Sequence, residues 1–202
     1  MSFEYVSTDG TRYIDVNSTI TIENNYFFEH STCINFNDQL IYANPTGQIS
    51  VKIDTIIIAN CSVTSNLNFF YFSNADIELC KICCINLCTV ATTLYSKNCQ
   101  DFNGSLISFS SCPSSITRTY KLQVDKSYLH GEFRDMNFSS STGAAIKMPI
   151  NNSTSKVSFC NFHDLKVKDV FGIVCICINS TVFSCMFNTI DITSPGPGVV
   201  NE

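Results

Sequence analysis

Short aliphatic runs alternate along this chain with polar, asparagine-bearing turns. Aligned on their apolar positions, seven nine-residue windows line up: ITIENNYFF from Ile20, IIIANCSVT from Ile56, IELCKICCI from Ile77, LYSKNCQDF from Leu94, LQVDKSYLH from Leu122, VSFCNFHDL from Val157 and VFSCMFNTI from Val182. The first position is always Ile, Leu or Val and the third is mostly apolar, so the two share a face at the period of two that marks a strand. Four windows place asparagine fifth, as Asn24, Asn60, Asn98 and Asn161. Asparagine tolerates left-handed backbone angles and stacked amides hydrogen-bond to one another, so these positions read as turns piled in register. Further β-type runs lie between the windows, from Ile34 to Phe36, Phe69 to Phe72, Leu106 to Phe109, Ala144 to Met148 and Ile173 to Ile178, and supply another side of each coil.

No stretch shows a helical apolar stripe capped at both ends. The pattern predicts an all-β chain, a right-handed parallel β-helix (β-solenoid) of about seven to eight coils. Residues 1–13 are expected to form a lead-in or cap strand and residues 14–193 the β-helix domain. Residues 194–202, with Pro195, Gly196, Pro197 and Gly198, are expected as a tail or truncated end. Ile20, Ile56, Ile77, Leu94, Leu122, Val157 and Val182 are expected to stack inward as one aliphatic column, with Asn24, Asn60, Asn98 and Asn161 as an amide ladder beside it. The alternative is a β-sandwich, which also strings short strands between turns but gives no reason for asparagine in register.

Charge changes the list of partners. Charged residues make up only 14% of the chain, the formal net charge is −5, and the 12 Lys and Arg are scattered singly. Gripping phosphates needs a clustered basic face, so nucleic acid is not an expected partner. The longest apolar run, Val170 to Ile178, is about half of the roughly 18 residues that suggest a membrane-spanning helix. No secretory signal is visible at the N-terminus, which has acidic residues and no apolar core segment.

Within residues 133–191, Gly143, Ala144, Ala145 and Ile146, followed by Cys185, Met186, Phe187 and Asn188, pair a Gly-x-Ala-Ile element with one close to Phe-x-x-Asn. This segment resembles the repeats of polymorphic outer membrane proteins and of the large β-helix surface proteins of trichomonad-type protists. Those repeats have a second glycine where Ala144 stands. The resemblance implies a surface-exposed or secreted, non-catalytic, adhesin-like solenoid. Its expected partners are glycans or partner proteins, together with an adjoining solenoid or another copy of the chain meeting its ends.

Several constellations invite a chemical reading. Cys80, Cys83, Cys84 and Cys88 include a zinc-type Cys-x-x-Cys spacing, but a second knuckle is missing and Cys99 alone does not supply it. Cys160, His163 and Asp164 would suit an activated thiol if they converged, yet no oxyanion hole is legible near them. Parallel β-helices also host polysaccharide lyases and glycoside hydrolases, which need set carboxylates or a calcium cluster with a base. Asp164 with Asp169, or Asp125 with Asp135, are the pairs that could meet across coils. Asn-x-Ser/Thr sequons occur at Asn17, Asn60, Asn103, Asn137, Asn151, Asn152 and Asn179. The reading taken forward is a structural or binding solenoid with no cofactor, with carbohydrate cleavage as the alternative.

Overall fold

The computed structural model describes residues 14–64, 66–113, 120–125, 130–147, 154–167, 174–176, 179–192 and 199–201. Among them there is no helix, and every strand pairing is parallel. Side chains that touch from one coil to the next are 24 residues apart at Asn74 and Asn98 and 26 apart at Asn60 and Asn86, while Gln39 reaches the carbonyl of Asn68, 29 residues on. Parallel strands returning at that interval make a parallel β-solenoid.

One face is an eight-stranded sheet running Ile20–Ile22, Ile41–Ala43, Phe70–Ser73, Leu94–Lys97, Tyr120–Asp125, Ala144–Lys147, Val174–Ile176 and Val199–Asn201. The last of these strands lies within the segment set apart as a tail and pairs with Val174–Ile176. Residues 1–13 lie outside the described residues. Two further faces belong to one twelve-stranded sheet bent along its length. In the early coils a single strand runs through the bend, as in Ile49–Ala59 and Ala75–Ile85. In later coils it divides, as in Asp101–Ser105 with Ser108–Ser110 and His130–Arg134 with Asn137–Ser139.

The bends are made by single residues in the left-handed region. His30, Thr55, Lys81, Leu106, Asp135, Phe159 and Ser184 occupy one corner, with φ between 48° and 56° across the whole set of corner residues. Asn35, Asn60, Asn86, Ser111, Ser140, Asp164 and Thr189 occupy the next, and Asn74 and Asn98 a third. Backbone hydrogen bonds continue through these corners: Asn60 N–H reaches Ile85 O at 3.0 Å, Leu106 N–H reaches Arg134 O at 3.2 Å and Asn98 N–H reaches Asp125 O at 3.1 Å. A parallel stack keeps its ladder only if each coil bends at the same place, so one coil's conformation imposes itself on the next.

The seven aliphatic residues therefore do not form one column. Ile20, Leu94 and Leu122 stack on the first face, in register with Ile41, Phe70 and Ile146 and, further along, Val174 and Val199. Ile77 lies between Val51 and Phe102, and Ile56, beyond the first corner, between Ser31 and Ile82. Val157 and Val182 pair with each other below Phe133. All seven belong to the core, with Ile20 and Val182 only partly covered. Each coil has several inward pairs of the form aliphatic-x-apolar, so a window built on that pair fits more than one face. Only the steps Leu94 to Leu122 and Val157 to Val182 are true coil steps.

The asparagine ladder divides in the same way. Asn60 bridges to Asn86, Nδ2 to Oδ1 at 3.1 Å, in the second corner, and Asn98 bridges to Asn74 at 3.1 Å in the third. Asn161 bridges to Asn137 at 3.1 Å on strands just beyond the first corner. Asn24 is exposed before the strand Tyr26–Ile34, and its neighbour Asn25 accepts the N–H of Ser50 at 2.8 Å.

One column runs through Cys33, Ile58, Cys84, Phe109, Phe138 and Phe162 inside the coil and ends at the exposed Phe187. Its four phenyl rings stack with centroids 5.3, 5.2 and 4.8 Å apart. That separation follows from the strand spacing of about 4.8 Å, and each stacked pair contributes about 0.5–1.5 kcal/mol beyond its burial.

Candidate functional site

The cysteines explain themselves at the corners. In Cys61, Cys112, Cys160 and Cys185 the thiol donates to the carbonyl two residues back, at 3.3, 3.3, 3.3 and 3.4 Å, across the left-handed residue. Ser31 and Ser141 make the same bond with their hydroxyls, at 3.2 and 2.8 Å. Cysteine here is a small apolar residue with one weak donor, placed where a bent backbone turns a carbonyl inward. Burial pushes Cys160 and Cys99 up to about 12 and raises Cys112 and Cys84, so these thiols stay protonated at neutral pH.

The zinc candidate does not converge. Cys84 points into the core while Cys80 and Cys83 lie on the partly covered outer side of the same strand and Cys88 belongs to another short strand. No group of three or more His, Cys, Asp or Glu side chains is placed to hold a metal among the described residues. Cys160 is likewise separated from its supposed partners. It is buried inside, whereas His163 and Asp164 pair on the surface at 2.8 Å, Nδ1 to Oδ2.

The carboxylates are arranged differently from expectation. Asp125 ends a strand of the first face and Asp135 is a first-corner residue, so they stand on different sides of the coil; Asp169 lies outside the described residues. Asp76 instead meets the backbone of the turn at Gln100 and Asp101. Asp76 Oδ1 accepts the N–H groups of Gln100 and Asp101 at 3.0 and 3.1 Å and the amide of Gln48 at 2.9 Å. These donors commit Asp76 to holding the turn above it. Of the sequons, Asn60 and Asn137 spend their side-chain oxygens in ladders, while Asn17 and Asn103 are exposed.

Among the described residues the interior is closely filled. Its gap is lined by Ile53, Phe70, Leu79, Ile82 and Leu94 among others, all apolar, and holds no more than about one water. On the first face, Tyr42, Tyr71 and Tyr95 stand side by side on successive strands, flanked by Thr21 and Gln123. Their rings stack at 5.3 and 5.8 Å, with interplanar angles of 17° and 30°. The ring faces are thus turned toward one another, and the outer surface of the ladder is made of ring edges and hydroxyls.

Polar groups border this row. Asn44 Nδ2 donates to the Tyr42 hydroxyl at 3.3 Å, Thr92 donates to Gln123 Oε1 at 3.2 Å, and Gln123 Nε2 donates to Asp125 Oδ2 at 3.0 Å. Burial, followed by the charge of Asp125 and a hydrogen bond to it, pushes the Tyr95 hydroxyl up to about 12. Against known proteins, no family model, no curated protein and no solved structure matched this chain. No helix among the described residues is long and apolar enough to cross a membrane.

The tyrosine ladder went unread in the sequence although its signal is there. Ile41-Tyr42-Ala43, Phe70-Tyr71-Phe72 and Leu94-Tyr95-Ser96 repeat an inward–Tyr–inward triplet. Matching Leu94 with Ile56 and Ile77 hid it, because those two residues belong to other faces.

Proposed function

We propose that this chain is a right-handed parallel β-helix of seven to eight coils that acts as a non-catalytic structural and binding solenoid, an adhesin-like surface module whose tyrosine face contacts linear glycans. The observation that carries the reading is the Tyr42, Tyr71 and Tyr95 ladder. A row of hydroxyls repeating at the coil spacing, edged by Asn44, Gln123 and Asp125, suits a polymer that repeats its own hydroxyls along its length. Tyrosine supplies such contacts at small entropic cost because only two side-chain torsions need to be held. The resemblance of residues 133–191 to surface-protein repeats supports the same assignment. An adjoining solenoid or another copy of the chain is part of the same reading.

Binding of the purified chain to a panel of neutral and acidic linear polysaccharides tests the proposal. Tyr71→Ala is expected to weaken binding at least about tenfold while the chain stays folded. Binding indifferent to Tyr71, or binding to proteins alone, would overturn the glycan reading. New reducing ends or unsaturated products that vanish in Asp101→Asn would establish the alternative, polysaccharide cleavage.

A further inference from the structure

Two thiols from neighbouring coils meet inside the early part of the solenoid. Cys33 points inward from the strand Tyr26–Ile34, and Cys61 is the inward residue after the corner at Asn60. Their sulfurs are 3.8 Å apart and both residues are enclosed. Cys61 Sγ also receives the N–H of Phe36 at 3.4 Å and lies 3.4 Å from the carbonyl oxygen of Cys33. A disulfide needs the sulfurs at about 2.05 Å, an approach of roughly 1.8 Å from their present separation.

We infer that Cys33 and Cys61 form an oxidative modification site, which a peroxide converts into a disulfide stapling neighbouring coils. Cys61 is the attacking sulfur. The contact with the Cys33 thiol, joined by the Phe36 N–H aimed at its sulfur, favours the Cys61 thiolate, whereas the same contact and burial raise Cys33. The Cys61 thiolate attacks one peroxide oxygen, the O–O bond breaks, and sulfenic acid forms with release of hydroxide. The Cys33 sulfur then attacks the sulfenic sulfur and expels its oxygen as water, which carries away the Cys33 proton. The two sulfurs lose two electrons, and with one further proton from solvent the peroxide leaves as two waters. Entry requires only a small oxidant and a brief local opening.

The staple joins residues 28 apart in sequence and belongs to adjacent coils, so it restrains the separation of units otherwise held only by their neighbours. The fold also supplies a benign control. Ser141 occupies the same place after a second-corner residue and makes the corner bond with its hydroxyl, so Cys61→Ser keeps that bond and removes the sulfur.

The test treats the folded chain with hydrogen peroxide, alkylates the remaining thiols, digests without reduction and maps peptides by mass. The expected product links the Cys33 and Cys61 peptides with loss of two hydrogens, and raises the unfolding temperature by several degrees over the reduced chain. Both changes should vanish in Cys61→Ser. In Cys33→Ser, which keeps a donor toward Cys61 but has no resolving thiol, Cys61 should instead be trapped as its dimedone adduct. Recovery of Cys33 and Cys61 as alkylated thiols, cross-links that join either one to another cysteine, or failure of Cys33→Ser to yield the adduct would overturn the inference.

Discussion

The first and second corners have one backbone and two chemistries. The second corner begins with Asn35, Asn60 and Asn86, residues suited to positive φ, and ties Asn60 to Asn86 by their amides. The first corner holds the same angles with His30, Thr55, Lys81, Leu106, Asp135, Phe159 and Ser184, of which only Asp135 is an aspartate or asparagine. Placing an ordinary residue in the left-handed region costs about 1–2 kcal/mol. The first corner sustains that cost repeatedly because the ladder on both sides is continuous and the next residue is driven inward. Ile56, Ile82, Ile107, Met136 and Cys160 follow the corner residues and are all buried. Local propensity thus reinforces the second corner, while stacking overrides propensity in the first.

If the inward residue after the turn holds the first corner, a charge there should break it. Ile107→Asp is expected to have the largest effect, a loss of at least about 4 kcal/mol that leaves the chain largely unfolded by denaturant titration, because Ile107 is 1% exposed and shares its surroundings with the apolar Ile82, Leu94, Phe109 and Leu122. A stable Ile107→Asp protein would show that the corner stands without its inward anchor. At the second corner, Asn60→Ala removes an amide bridge and puts a less tolerant residue at φ 53°. The expected loss is about 1–2 kcal/mol, read as a lower midpoint with an unchanged slope. The smallest effect is expected at the residue preceding Ile107. Leu106 is 51% exposed at φ 55°, so Leu106→Asn should stabilise the chain by up to about 1 kcal/mol. A loss at that position would mean that the exposed leucine contributes contacts which outweigh its strain.

Alternation of apolar residues and the absence of helical stripes were legible without coordinates, because strand periodicity is a local property of every segment. Register was not. Leu94 and Leu122 were correctly placed one coil apart, as were Val157 and Val182, but Ile56 and Ile77 lie on the same long bent sheet as Val157 while Ile20 does not. The reason is the same throughout. The faces of a coil share one binary code, and a window of nine residues is shorter than the interval after which the chain returns. The tyrosine ladder fell between the windows for that reason, and the Asp76–Asp101 contact was invisible because its two residues lie 25 apart.

By itself the sequence determined that the chain would be built of short strands with asparagine at some of its turns. Only the tertiary structure decided which strands neighbour each other. It also decided that a leucine and a phenylalanine would occupy left-handed corners, and that three tyrosines from separate coils would stand in one row. Strand period and turn propensity act over a few residues and are written locally. Stacking acts between residues a whole coil apart, and its parallel ladder transmits one coil's bends to the next whatever side chain is found there.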